Sequence, residues 1–129
     1  MSNSNLIPCK ILVVDDAKFI RVALKDVLIK YVLATEIYEA ENGTEAIDAY
    51  KKFRPDLVML DVNMPKVDGM ETLHTILRFD PNAKIIMISG IEQKYMMNQA
   101  VRQGAKDFLI KPFSDSVTVE VIKRVLGIK

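Results

Sequence analysis

Four short apolar runs constrain this chain most: Ile11 to Val14, Leu57 to Leu60, Ile85 to Ile88 and Phe108 to Ile110. Each is too short for a helix, and two, Ile11 to Val14 and Ile85 to Ile88, are rich in Val or Ile. Their hydrophobicity is continuous rather than alternating, so both faces of each strand must be covered, which points to a parallel sheet. A fifth segment, Thr35 to Ala40, mixes Glu with Ile and Tyr and reads as an edge strand. Between the strands the apolar period changes to that of a helix. Ile20, Ala23, Leu24, Val27, Leu28 and Tyr31 form the first stripe, and Ala46, Ala49, Tyr50 and Phe53 the second. Met70, Leu73 and Leu77 follow, then Met97, Ala100 and Val101, then Val117, Val121, Ile122 and Val125. These stripes read as core faces; Tyr95 and Met96 fit less easily and read as surface. Strand–helix alternation repeated five times predicts an α/β fold with right-handed crossovers and helices on both faces.

With 129 residues, 50% of them hydrophobic and 27% charged, the chain suits a single domain able to bury a core without staples. Its 18 basic and 17 acidic residues leave a net charge of +1, which argues against nucleic-acid binding through clustered Lys and Arg. Cys9 is the single cysteine, so no internal disulfide can form, and a reducing, cytoplasmic setting is the natural reading. Cys9 reads as a small packed side chain at the entry to the first strand. The opening MSNSNLIPCK has no signal-peptide pattern, and no apolar run is long enough to span a bilayer.

In a doubly wound sheet the functional crevice lies at the carboxyl ends of the strands, where the strand order reverses. Here those ends are polar: Asp15-Asp16, Asp61, Ser89-Gly90 and Lys111-Pro112. Two carboxylates about 4 Å apart repel by about 4 kcal/mol at an effective dielectric of 20. Three together call for a cation or a bound proton. Mg²⁺ takes such oxygen ligands, together with waters and phosphate oxygens. Lys111 can pair with the acids or hold a phosphoryl oxygen.

Each feature alone has an ordinary reading. Asp16 would also N-cap the first helix, Ser89-Gly90 would be a turn or cap, and Lys111-Pro112 a surface loop. Asp68-Gly69 is kept as the turn that starts the third helix. Phosphate loops of the G-x-x-x-x-G-K-[ST] and G-x-G-x-x-G types are missing, as is a G-x-S-x-G elbow, and one His with one Cys cannot build a His/Cys zinc site. An Asp, a divalent cation, a hydroxyl and a lysine suit a phosphoryl group carried by a carboxylate.

The segments ILVVDD, VMLDVNMPKVDGME, IIMISG and GAKDFLIKPF, in this order and spacing, resemble the receiver domain of two-component response regulators. The resemblance runs from about Cys9 to Leu126, and the chain is similar to single-domain members of the kind used in chemotaxis. It implies a flavodoxin-like five-stranded parallel sheet of order 2-1-3-4-5 with five helices, filling residues 1–129 as one receiver domain without an output domain. It implies Asp61 as phosphoacceptor, fed by a histidine kinase or phosphotransfer protein. Mg²⁺ (or Mn²⁺) would be held by Asp16, Asp61 and the Asn63 backbone carbonyl, with Asp15 acting through water. Lys111 and Ser89 would take phosphoryl oxygens, and Phe108 would be the aromatic switch, carrying no hydroxyl. A cis Lys111-Pro112 bond is implied too.

The output would be a changed face of helix four (about Glu92 to Arg102), strand five and helix five, read by a downstream protein. The resemblance implies a cytoplasmic signalling protein that catalyses only its own phosphorylation and dephosphorylation. It would be a monomer, or a dimer through the same face, with no nucleic-acid or membrane partner. Two alternatives stand beside it: a small aspartate-nucleophile phosphatase, and a phosphorylation-independent binding module of the same fold. The phosphatase needs a general acid two residues after its nucleophile, where this chain has Asn63.

Overall fold

The computed structural model describes residues 9–64 and 68–128. Pro65, expected to end the third strand's loop, lies outside them, as does the segment before Cys9. Five parallel strands, β1 (Lys10–Val14), β2 (Glu36–Ala40), β3 (Leu57–Asp61), β4 (Ile85–Ser89) and β5 (Asp107–Ile110), form one sheet of order β2-β1-β3-β4-β5. The helices are α1 (Lys18–Lys30), α2 (Gly43–Phe53), α3 (Gly69–Phe79), α4 (Tyr95–Arg102) and α5 (Asp115–Leu126). Chain order and spatial order part company between β1 and β3, and that reversal opens the crevice. Among the described residues no helix is long and apolar enough to cross a membrane.

The period-2 geometry of strands splits the apolar runs between two cores. Leu12, Val14, Val58, Leu60, Ile85 and Met87 face α2, α3 and α4 and meet Ala46, Tyr50, Leu73, Ile76, Met97 and Ala100. Ile11, Val13, Leu57, Met59, Ile86 and Ile88 face α1 and α5 and meet Leu24, Leu28, Val121 and Ile122. Every residue of β3 and β4 is buried, which explains why their sequences are apolar without alternation. The Glu-bearing β2 lies at an edge, where Glu36 and Glu39 stay exposed.

The helix faces depart from the expected stripes by about one position. In α1 the buried face is Arg21, Leu24, Val27 and Leu28, while Ala23 and Tyr31 are exposed. Thr118 takes the core place expected of Val117, which is 46% exposed, and Val101 is 41% exposed. One residue is about 100° of helix rotation, so a short amphipathic helix leaves a flanking apolar residue facing water. The expected fourth helix divides into a 3-10 turn at Ile91–Gln93 and α4 proper, and Tyr95 stands 78% exposed.

The loops are set by local chemistry. Asn42, Asp68 and Ser114 cap α2, α3 and α5 by accepting the N–H of Glu45, Glu71 and Val117. Asp68-Gly69 therefore starts α3 as expected. Gly127 ends α5 in the left-handed region at φ 74°. The Lys111-Pro112 peptide bond is cis. Cys9 is half-buried beside the α1/α5 core, and burial pushes its thiol above the ordinary range, away from the thiolate.

Candidate functional site

β1 and β3 are neighbours in register, with Val14 opposite Leu60, so the residues that follow them emerge side by side. Asp61 is the last residue of β3 and is still paired with Ile88 of β4. Ser89 closes β4 opposite Ile110, and Lys111 follows directly. Oxygens of Asp15, Asp16 and Asp61 all lie within 4.8 Å of one another. Lys111 Nζ reaches in from the other side, 3.3 Å from Asp15 Oδ2 and 3.6 Å from Asp61 Oδ1. Asp15 and Asp61 are buried, whereas Asp16 is exposed. A solvent-open pocket of about 260 Å³ lies over the group, lined also by Ala17, Phe19, Asn63, Gly90, Glu92 and Gln93.

The electrostatics follow from burial. Asp61 is pushed up to about 6, first by desolvation, then by the neighbouring Asp15 carboxylate, with Lys111 pulling the other way. A buried acid with an elevated pKa, beside two more acids in a cleft, marks this group as the candidate functional site. The set fits a hard divalent cation. Three carboxylate oxygens gathered within 4.8 Å of one another form the all-oxygen donor set that such an ion takes.

Ser89 contributes the second anomaly. Its hydroxyl is buried and is the one buried side-chain oxygen or nitrogen among the described residues with no hydrogen-bond partner. An orphaned buried hydroxyl is costly and asks for an absent acceptor or donor. Phe108 of β5 is half-buried against the α2/α3/α4 core, one strand away. Gly90 has an ordinary φ of −78°, so its value is not conformational. The space where a Cβ would stand is taken by the Glu92 carboxylate, 2.4 Å away.

One expectation fails. The first turn of α1 is not capped by Asp16: the N-cap position is Ala17, with no side-chain cap. Instead Asp15 Oδ1 accepts the Ala17 N–H at 2.9 Å, which leaves the Asp16 carboxylate clear of the helix. Asn63 also stays exposed, and its N–H donates to Asp61 Oδ1 at 3.4 Å. Sequence reasoning missed Gly69 as a site element. A Cβ there would fall 2.4 Å from both the Asp61 carbonyl oxygen and the Val62 Cα. The helix that follows the site loop can approach β3 only through a glycine. Arg21 was missed too, although an arginine on the Leu24/Leu28 face of α1 was a legible sign of a buried charge. A larger cavity, about 690 Å³, lies at the opposite end of the strands among Cys9, Tyr50, Arg54 and Ile128, and none of the predicted site residues lines it.

Comparison with known proteins identifies the family. Residues 11–123 match the family described as the response regulator receiver domain. Protein CcdB of Bacillus subtilis is 45% identical over 92% of this chain and 98% of its own length. The chemotaxis protein CheY of Thermotoga maritima is 44% identical, covering 90% of this chain and 96% of its own. Among solved structures, the CheX-CheY-BeF3-Mg²⁺ complex from Borrelia burgdorferi superposes with a TM-score of 0.88 at 34% identity, covering 95% of this chain and 92% of that one. A 2-1-3-4-5 sheet, an acid triad at its switch point and a match along nearly the whole chain lead to one assignment: this chain belongs to the response regulator receiver domains of two-component signalling.

Proposed function

We propose that residues 1–129 act as one receiver unit, a CheY-like switch thrown by phosphorylation of Asp61. The observation that carries this reading is the placement of a buried Asp61 between two further acids and the Lys111 ammonium, beside an unpartnered Ser89 hydroxyl. An Asp61 oxygen attacks the phosphorus of a phosphohistidine on a kinase or phosphotransfer partner. The P–N bond breaks with its electron pair on nitrogen, and the partner's imidazole leaves neutral by taking a proton from solvent. Asp16, Asp61 and the Asn63 carbonyl would hold Mg²⁺ (or Mn²⁺), with Asp15 acting through water; the ion supplies charge neutralisation for the incoming phosphoryl group. Lys111 balances charge on one phosphoryl oxygen, and Ser89 donates to another.

The phosphoryl group adds roughly −1.5 to −2 charge at a site where, among the described residues, Lys111 is the cation paired with the buried acids. Ser89 follows the new acceptor, the turn at Gly90 closes over it, and half-buried Phe108 packs into the vacated space. The readout is the α4–β5–α5 face, offered to a downstream protein. Moving a switch from 1:99 to 99:1 needs about 5.5 kcal/mol, within reach of a few charge-assisted hydrogen bonds at about 1.5–3 kcal/mol each. Asn63 carries no acidic proton for a leaving group, which favours a switch over a turnover phosphatase.

The test is Mg²⁺-dependent labelling by acetyl phosphate. The wild-type chain takes the label and Asp61→Asn does not. Labelling that survives the substitution overturns the assignment.

A further inference from the structure

Asp15 is held at each of its polar atoms. Its N–H donates to the Ala40 carbonyl at 3.1 Å, joining the end of β1 to the end of β2. Its Oδ1 accepts from the Ala17 N–H and its Oδ2 from Lys111. Its carbonyl accepts from Arg21 Nη1 at 2.7 Å, a short, charge-assisted bond. Asp16, one residue on, has no hydrogen bond of this kind among the described residues and stays exposed.

Arg21 lies on the core face of α1 at 8% exposure. Its Nε donates to Glu39 Oε1 of the edge strand β2 at 2.9 Å. Glu39 is shared with Lys25, 2.8 Å away. A buried guanidinium needs a carboxylate, and Glu39 supplies it. Tacking α1 to β2 would require no more than that pair. The bond to the Asp15 carbonyl goes beyond it, and it falls where the chain leaves β1 and turns into the acid pair.

We propose that Arg21 is a positioning residue for the cation site: anchored by Glu39, it clamps the Asp15 carbonyl and so sets where the Asp15 and Asp16 carboxylates stand relative to Asp61. The proposal rests on the reading of Asp15, Asp16 and Asp61 as a Mg²⁺ site. Two physical effects predict opposite signs. Deleting a nearby cation would tighten Mg²⁺ binding by simple Coulomb attraction. Losing a clamp would weaken it, because the acids then sample arrangements that do not converge on the ion.

The experiment is isothermal titration of the full chain with Mg²⁺, alongside thermal unfolding in EDTA. Arg21→Gln is expected to weaken Mg²⁺ binding about tenfold, in the range found for groups that orient metal ligands. Arg21→Lys keeps the charge but cannot make both bonds, and is expected to fall between. Glu39→Gln leaves the guanidinium only a neutral acceptor, loosens its anchor and is expected to weaken binding several-fold. Lys25→Met leaves the Arg21–Asp15 bond intact and binds Mg²⁺ as the wild type does. If Arg21→Gln unfolds, Arg21→Lys and Glu39→Gln decide. Unchanged or tighter binding in these variants, with only a lowered melting temperature, overturns the positioning role. A wild-type chain that binds no Mg²⁺ overturns instead the cation-site reading beneath it.

Discussion

The Lys111 N–H donates to the Ser89 carbonyl at 2.7 Å, so the residue with the orphaned hydroxyl and the residue with the site's ammonium share one main-chain link between β4 and β5. The two side chains are nonetheless in opposite condition. Lys111 is engaged with Asp15 and Asp61, while Ser89 is buried with nothing to bond. The resting site has spent its cation and kept its hydroxyl in reserve.

Ser89→Ala separates stability from signalling. Removing an unsatisfied buried hydroxyl leaves the resting fold unchanged or stabilises it by about 1 kcal/mol. Denaturant unfolding measures that. On the proposed switch, amide exchange is expected to show a protection change at the α4–β5–α5 face of the phosphorylated wild type, and the phosphorylated variant is expected to lose it.

Lys111→Met removes the cation that offsets two buried acids. With Lys111 about 29% exposed at its side chain, the metal-free protein is expected to lose about 1–2 kcal/mol at neutral pH. Mg²⁺ then stabilises the variant at least as much as it stabilises the wild type, since the ion takes over the missing charge. Unfolding with and without EDTA checks both.

The raised pKa of Asp61, about 6 against an ordinary 3.8, sets a pH window. The folded state binds this proton more tightly than the unfolded chain, so the group's contribution is fully present below about pH 4. It is lost as pH rises through about 6. At pH 7.5 without metal, Asp61→Asn is therefore expected to be more stable than the wild type by up to about 3 kcal/mol, and the difference closes near pH 4. The same proton competes with the ion, so apparent Mg²⁺ affinity falls as pH drops through about 6. Urea unfolding at the two pH values and Mg²⁺ titration across pH 5–8 measure these effects.

Gly69→Ala tests the packing of α3 against β3. Its Cβ would press on backbone, the Asp61 carbonyl and the Val62 Cα, both 2.4 Å away, and backbone cannot swing aside as a side chain can. The cost is expected at about 1–3 kcal/mol of stability. Because the displaced strand end carries Asp61 and leads to Asn63, acetyl phosphate labelling slows as well. Thermal unfolding and the labelling rate check the pair.

What the sequence determined by itself is what local pattern can carry. Continuous apolar runs such as Val58 to Leu60 imply doubly covered strands, and helix-period stripes between them imply parallel crossovers. Once the strands are parallel, any residue that follows one must stand at the carboxyl edge, so Asp15, Asp16, Asp61, Ser89 and Lys111 converge without any distance being known. The edge position of β2 was legible in its glutamates, and the cap at Asp68 in its chemistry. Relations across the chain were not legible. Lys111 meets Asp15 from 96 residues away, and the angle of that approach depends on how five strands twist and stack. Which flank of the α1 stripe is left in water, exposing Ala23 and Tyr31, depends on where the sheet presses on it. So do the space that forbids a Cβ at Gly69, the capture of the α1 N-terminus by Asp15 rather than Asp16, and the solitude of the Ser89 hydroxyl. Periodicity records which residues avoid water; contact distance, desolvation and hydrogen-bond direction arise only when separate segments close on one another in three dimensions.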